Sequence, residues 1–198
     1  MFIFYSSNLI IYSSKGVKMH ERRFNGGLER LRSAERIALL EIDRVVKLSL
    51  DNKKIKSVLD VGTGTGLFAE AFASRDLDVT GIDVSESMLS IVGTYVPSGK
   101  FKLAPAENIP FPDKSFDLTF FGLVLHETDD LVAALKEARR VTVERIAVLE
   151  WPYKNSEQGP PLEHRIKPDF LKKLIKEVGF KDYEKIILKN LELFILTP

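Results

Sequence analysis

The stretch Ser57-Val58-Leu59-Asp60-Val61-Gly62-Thr63-Gly64-Thr65-Gly66-Leu67 decides how the rest of the chain is read. A short apolar run, Ser57 to Val61, ends at three alternating glycines, and a helical pattern follows from Leu67 to Ala73. Strand, glycine turn and helix make the first half of a βαβ unit. Glycine lets the backbone turn sharply and lets a ligand come close. The first turn of the helix offers unpaired N–H groups to an anionic ligand group.

Outward from this loop the alternation repeats. Asp78-Val79-Thr80-Gly81-Ile82 reads as a second strand, and Ser85 as the N-cap of a helix through Met88, Leu89, Ile91 and Val92. Phe101-Lys102-Leu103 is a third strand, and Phe116 to Leu125 a fourth, buried on both faces. Thr128 is the expected cap of a helix with Asp129 and Asp130 in its first turn. Arg145 to Leu149 is a fifth strand. Pro168 opens a helix with Phe170, Leu171, Leu174, Ile175 and Val178 on one face and Gly179 just beyond. Ile186-Ile187-Leu188 and Leu193-Phe194-Ile195-Leu196 form a hairpin across Lys189-Asn190. Ahead of all this, apolar residues from Leu28 to Leu50 follow a helical period. The expected fold is α/β and Rossmann-like: a doubly wound, mostly parallel seven-stranded sheet closed by an antiparallel C-terminal hairpin. Such sheets bind ligands at the carboxyl ends of their strands.

Composition narrows the function. The chain has 198 residues, which suits one domain, expected here over residues 19–198 with a helical cap over about 19–50. Lys and Arg number 29 against 28 Asp and Glu, a net charge of +1. No global field draws nucleic acid or an acidic membrane. There is no Cys, which removes disulfides, Cys zinc sites, iron–sulfur clusters and thiol nucleophiles. No metal is expected. Met1 to Ser14 carry no charge, and the first basic residue is Lys15, so this is no ordinary signal peptide. The apolar stretch is too short to span a bilayer, and a cytoplasmic location is expected. For residues 1–18 three readings stay open: an overlong start with the true one at Met19, which is favoured, an apolar arm, or a targeting segment. An arm over Phe2 to Tyr12 would be a candidate homodimer element.

The glycine spacing is G-x-G-x-G. The dinucleotide fingerprint G-x-G-x-x-G would need glycine where Leu67 stands. Asp83 follows the second strand, 21 residues after Gly62, where a carboxylate can accept from both hydroxyls of a ribose. Two other readings stay open: a tight turn with Asp83 as a mere helix cap, or a nicotinamide-dependent oxidoreductase.

Together these residues resemble the class I S-adenosylmethionine-dependent methyltransferases, over roughly residues 55–196. Val58 to Gly66 is similar to that family's glycine motif, and Gly81-Ile82-Asp83-Val84-Ser85 to its ribose-binding segment. Ala106 to Asp117 is similar to the stretch leading into its fourth strand. The resemblance implies S-adenosylmethionine as cofactor. Gly62 and Gly64 would lie under its methionine part, Asp60 orient its ammonium, and Asp83 hold the ribose. Val84 and Met88 would pack on adenine, and the Ala106 N–H would donate to it. Thr63, Gly66 and Phe121 complete the implied cofactor set. Many relatives have Asp where this chain has Pro105, so that adenine contact is absent or supplied by Glu107. Relatives often carry Pro-Gly-Gly before the fifth strand. Val141-Thr142-Val143-Glu144-Arg145 stands here instead, so the preceding helix is free to run further.

Members that methylate DNA bases carry an Asn- or Asp-Pro-Pro-Tyr/Phe motif after the fourth strand. This chain has Phe120-Phe121-Gly122-Leu123-Val124-Leu125-His126-Glu127, so the implied acceptor is a small molecule and no nucleic acid. His126 is the candidate general base, since it titrates near neutral pH; capping a helix or packing beside the cofactor is the other reading. A finer resemblance, to small prokaryotic methyltransferases, rests on Met19-His20-Glu21-Arg22-Arg23-Phe24, Glu35-Arg36, Leu125-His126-Glu127 and Gly159 to Ile166. It makes His20, Phe24, Arg36, Trp151, Tyr153, His164 and Arg165 candidates for the substrate pocket. The aromatic ones are equally core residues, and His164 and Arg165 equally a solvated turn. The ubiquinone/menaquinone methyltransferases share the glycine loop and Pro110-Phe111-Pro112-Asp113. Arsenite methyltransferases, similar in their core, hold arsenic with cysteines that this chain lacks. The same lack excludes radical S-adenosylmethionine and cytosine-C5 chemistry. The expected function is methyl transfer from S-adenosylmethionine to a small molecule. The alternatives are a non-catalytic S-adenosylmethionine-binding protein or C-methylation of a quinone precursor.

Overall fold

The computed structural model describes residues 28–198. The arm at residues 1–18, the start at Met19, and the pocket candidates His20 and Phe24 lie outside the described residues. Among the described residues three helices precede the sheet: α1 (Leu28–Leu31), α2 (Ala34–Leu40) and α3 (Ile42–Leu50). The helical period over Leu28 to Leu50 is thus broken twice. Ser33 caps α2 by accepting the Arg36 N–H, and Glu41 takes a left-handed conformation with φ 47° between α2 and α3. A non-glycine residue there ends the helical ladder and re-aims the next helix.

The sheet follows. Strands β1 (Ser57–Val61), β2 (Asp78–Asp83) and β3 (Lys100–Leu103) are separated by α4 (Leu67–Ala73) and α5 (Glu86–Tyr95). Then come β4 (Phe116–Gly122), α6 (Leu131–Val141), β5 (Thr142–Glu150), α7 (Pro168–Val178), β6 (Asp182–Ile187) and β7 (Glu192–Thr197). The strand order is β3-β2-β1-β4-β5-β7-β6. The β1·β2, β1·β4, β2·β3 and β4·β5 pairs are parallel, and β7 runs antiparallel to both β5 and β6. The seven-stranded, mostly parallel sheet with its antiparallel C-terminal hairpin is the fold read from the sequence.

Two apolar layers cover the sheet. Val45, Val46, Phe68, Phe72 and Val92 from α3, α4 and α5 pack in one layer with Leu118 and Phe120. Leu135, Ala138, Leu171 and Leu174 from α6 and α7 pack in the other with Leu59, Phe121 and Ile146. Alternate residues of one strand supply both layers, because side chains on a strand point to opposite faces.

Three boundaries differ from the sequence reading. Strand β4 stops at Gly122 rather than Leu125, because Leu123 adopts φ 62° and the chain folds into a 3-10 turn over Leu125–Glu127. The α6 cap is Asp130, whose Oδ1 accepts from Val132 and Ala133 at 2.9 and 3.0 Å; Thr128 turns its hydroxyl back to the Leu125 carbonyl. Strand β5 starts at Thr142, directly at the end of α6, so the helix does run on where relatives place Pro-Gly-Gly. Among the described residues, no helix is long and apolar enough to cross a membrane.

Candidate active site

The carboxyl ends of β1, β2 and β4 open onto a cavity of about 230 Å³. Parallel neighbours present their last residues on one edge, and β1 is central with partners on both sides, so a loop after it sits at the switch point. The Gly62 and Thr63 N–H groups both donate to the Ile82 carbonyl, at 2.8 and 3.0 Å, which pins the glycine loop to β2. Gly62 has φ 66°, and a Cβ there would stand 2.3 Å from Cγ2 of Val124. Glycine is required both by the left-handed backbone and by this close approach. At Gly64 an added Cβ would meet nothing nearer than the Gly62 carbonyl oxygen at 3.9 Å, so it would project into the cavity.

Two carboxylates flank the loop. Asp60 is buried at the end of β1, and its Oδ2 accepts the Thr63 hydroxyl at 2.8 Å. Burial pushes its carboxyl up to about 7; the Thr63 bond works against this and the negative Asp83 works with it. Asp83 closes β2 and accepts the Gly64 N–H on Oδ2 and the Ser85 N–H on Oδ1, each at 2.9 Å. Glu107 lines the cavity while its Oε1 accepts from the Asp129 and Asp130 N–H groups at 2.7 and 3.2 Å. It ties the loop after β3 to the start of α6.

Of the implied cofactor residues, Asp60, Gly62, Thr63, Gly64, Asp83, Val84, Met88, Ala106 and Glu107 all line this cavity. Gly66 and Phe121 do not. Gly66 instead leaves room for Val92, since a Cβ there would be 2.5 Å from its Cγ2. Phe121 is fully buried in the α6 and α7 layer. Of the pocket candidates on described residues, Arg36 lines the cavity; Trp151, Tyr153, His164 and Arg165 do not.

Arg165 is neither a pocket residue nor a solvated turn. It is buried, and all five guanidinium N–H groups are used. Nε donates to the Pro160 carbonyl, Nη1 to those of Pro152 and Lys154, and Nη2 to the Ser156 hydroxyl and the Gln158 carbonyl. It gathers the loop after β5 around itself and leaves no donor for a substrate. Trp151 packs beneath, against Gly159, as a core aromatic.

His126 also stands behind the cavity wall rather than in it. Its Nδ1 lies 2.9 Å from Glu150 Oε2, and its Nε2 is 3.9 Å from Oε1 of Glu127, which does line the cavity. Burial works to push the imidazolium down, but the charges of Glu150 and Glu127 outweigh it and raise its pKa.

Sequence reasoning missed Glu127, although it adjoins His126, because it ranked the pair by titration range. It also missed Arg32, which sits at the break between α1 and α2. Arg32 Nη1 donates to the Thr65 carbonyl at 2.8 Å, Nη2 pairs with Glu70, and the guanidinium lies 3.5 Å over the Tyr95 ring. One side chain thus joins the N-terminal helices to the glycine loop, α4 and α5.

Sheet order, glycine loop and the two strand-end acids agree with the resemblance to class I S-adenosylmethionine-dependent methyltransferases. The residues present fit S-adenosylmethionine. Asp60 is a buried carboxyl beside a second acid and is eased by a cation. Asp83 lines the cavity with a carboxylate, the group that accepts from hydroxyls. Gly64 leaves open the space that a side chain would fill. Residues 59–145 match the family described as "Methyltransferase domain". It is 37% identical over 111 residues to demethylmenaquinone methyltransferase of Thermotoga maritima, covering 54% of this chain and 48% of that one. It is 36% identical over 87 residues to malonyl-[acyl-carrier protein] O-methyltransferase of Serratia marcescens, covering 44% and 34%. The matched region thus spans only about a third to a half of these curated relatives. A SAM-dependent methyltransferase from Aquifex aeolicus shares the fold, with a TM-score of 0.76 at 21% identity over 91% of this chain and 98% of that one.

Proposed function

We propose that the chain transfers a methyl group from S-adenosylmethionine to a small-molecule acceptor. One observation carries this reading: Asp60, Gly62, Gly64, Asp83, Val84, Met88 and Ala106, read from the sequence for that cofactor, line one cavity. When bound, S-adenosylmethionine would supply a methyl carbon on a sulfonium for an in-line nucleophile, with S-adenosylhomocysteine as the leaving thioether. The chain's own work is then to hold the partners in line and exclude water. Asp60 takes the ammonium, Asp83 the ribose hydroxyls, and Val84 with Met88 the adenine face. Pro105 is exposed, and Glu107 has one oxygen on the Asp129 and Asp130 amides, so the Ala106 N–H is the adenine contact this reading uses. A base is needed only where the acceptor arrives protonated. His126 could act there only through Glu127.

A small acceptor rather than nucleic acid is supported by the balanced charge and by the absence of the Pro-Pro motif after β4. A cytoplasmic location and one functional unit over residues 19–198 belong to the same proposal. A quinone precursor is the narrower second reading, supported by the likeness to the demethylmenaquinone enzyme. Calorimetry with S-adenosylmethionine, S-adenosylhomocysteine and NAD tests the donor; binding of NAD alone defeats the reading. Release of S-adenosylhomocysteine over a metabolite panel that includes demethylated quinones then separates a catalyst from a binding protein.

A further inference from the structure

A second cleft, of about 240 Å³, opens beside the end of β5 and shares no lining residue with the glycine-loop cavity. Trp151, Lys154 and Glu157 line it from the loop after β5, and Lys189 and Asn190 from the turn between β6 and β7. Strand β5 runs parallel to β4, and Glu150 at its end pairs with Glu192 at the start of β7. The cleft therefore stands on the same edge of the sheet as the glycine-loop cavity.

Both walls are held from behind. Arg165 closes the loop after β5 through the Lys154 and Gln158 carbonyls and the Ser156 hydroxyl. On the other side the Lys189 N–H donates to Oε2 of Glu41 at 2.8 Å, and the Leu188 N–H to the Leu191 carbonyl at 3.0 Å. Such anchoring orders the walls before a ligand arrives, so binding is spared that entropy.

The lining is rich in donors. Trp151 is its one buried residue; the others are exposed or half-buried. The indole N–H has no acceptor among the described residues, yet no fully enclosed side-chain donor there goes unpaired. The N–H therefore sits at an open edge of an otherwise packed ring, and the cleft is what Trp151 lines. The charged residues of the lining are Lys154, Lys189 and Glu157, an excess of one positive charge. Neither ammonium has an ion-pair partner among the described residues, although Lys189 feels the charge of Glu41. A guanidinium fork suits a planar carboxylate, whereas lysines act as point charges, which is how they serve phosphate. A phosphate monoester brings nearly two negative charges and three strong acceptor oxygens.

We propose that this cleft binds a phosphoryl group, held by the Lys154 and Lys189 ammoniums with the Trp151 indole N–H and the Asn190 side-chain amide as neutral donors. The group has two sources, a phosphorylated acceptor long enough to reach the glycine-loop cavity and a separate phosphorylated effector, and the chemistry in the cleft is the same for both.

Trp151 is the only tryptophan of the chain, so its emission reports on this cleft alone. Inorganic phosphate is titrated into the full chain at constant ionic strength, with emission and calorimetry as readouts and acetate as the planar control. Phosphate changes the emission saturably, and acetate does not. K154Q/K189Q weakens phosphate by at least about tenfold. W151F, followed by calorimetry, weakens it by a smaller factor, since a neutral donor is lost. Matching thermal melts show that the variants fold; the two lysines are exposed, so K154Q/K189Q decides even where W151F does not fold. Phenyl phosphate, with and without S-adenosylhomocysteine, identifies the source. If S-adenosylhomocysteine changes the affinity for phenyl phosphate and not for inorganic phosphate, the group belongs to an acceptor; if it acts alike on both or on neither, the ligand is a separate effector. The proposal is overturned if phosphate gives no saturable change, if acetate binds as well, or if K154Q/K189Q keeps wild-type affinity. A chain that does not bind S-adenosylhomocysteine defeats the donor reading and leaves the phosphate titration to decide this one.

Discussion

Nδ1 of His126 lies 2.9 Å from Oε2 of Glu150, and both side chains are buried. The same carboxylate accepts the backbone N–H of His126 at 3.0 Å and of Trp151 at 3.1 Å. The end of β5 thereby grips the turn after β4, the turn that carries Glu127 into the cavity. Charge and hydrogen bonds from Glu150 outweigh burial and raise the imidazole pKa. The stabilisation from the raised His126 is therefore full below about pH 6.5, the unfolded value, and is lost as pH rises through the folded value. H126A removes it and leaves Glu150 with an unpaired buried charge, at a cost of about 3–5 kcal/mol. Urea denaturation measures this across neutral pH. A variant as stable as wild type at pH 6 would show that the pair does not hold the turn.

Asp60 behaves in the opposite sense. Its carboxyl stands at 3.8 when unperturbed and at about 7 in the fold, chiefly through burial. The folded state therefore binds the extra proton between these values, and stability falls as pH rises across that window. The gap corresponds to about 4 kcal/mol once the group is ionised. D60N, which keeps an acceptor for Thr63, is expected to stabilise the free protein above pH 7 and to weaken S-adenosylmethionine. Wild-type affinity for this cation should rise with pH up to about 7 and then level off, whereas D60N affinity should be flat. Parallel denaturation and calorimetric titrations from acid to alkaline pH check both arms.

Arg165 is a structural centre, and its loss should be felt locally. R165A strands the Pro152, Lys154, Gln158 and Pro160 carbonyls together with the Ser156 hydroxyl. A loss of roughly 3–5 kcal/mol is expected. R165K recovers little of it, since three donors on a point charge cannot replace a planar fork. Amide hydrogen exchange over residues 152–160 should quicken by orders of magnitude while S-adenosylhomocysteine affinity stays near wild type. A selective loss of that affinity would instead return Arg165 to the pocket.

The close approach of Gly62 and Val124 is testable by a double-mutant cycle. In G62A the new methyl meets Val124 in a backbone with φ 66°. Overpacking should cost about 1–3 kcal/mol and the left-handed backbone about another 1–2. V124A in the G62A background should recover the overpacking part alone. Purely additive denaturation energies would mean that the two residues do not press on each other.

Legibility in the sequence followed the range of the forces involved. Pro168 and Gly179 marked both ends of α7 correctly, because a cap is local chemistry that the residue itself carries. The end of β4 was misplaced, since the residue that enters the left-handed region is Leu123 and not the Gly122 beside it. Packing holds it there: the residue is buried, and its N–H donates to the Leu149 carbonyl on β5 at 2.9 Å. For the adenine contact the sequence left two alternatives, its absence or Glu107, and the bonds from Asp129 and Asp130 to Glu107 could not be foreseen from spacing. Nor could the reach of Arg32 across three elements.

The sequence by itself determined the order of elements, the parallel sheet, the glycine loop and the acids at the ends of β1 and β2. Those follow from periodicity and turn chemistry, which act over a few residues. Only the tertiary structure decided what the buried ionisable groups do. His126 turns its ring to a carboxylate 24 positions away, Arg165 closes a loop around its own guanidinium, and Asp60 holds its proton near neutral pH. Each outcome depends on how much water is excluded and which distant charge takes its place, and neither quantity exists until the chain has packed.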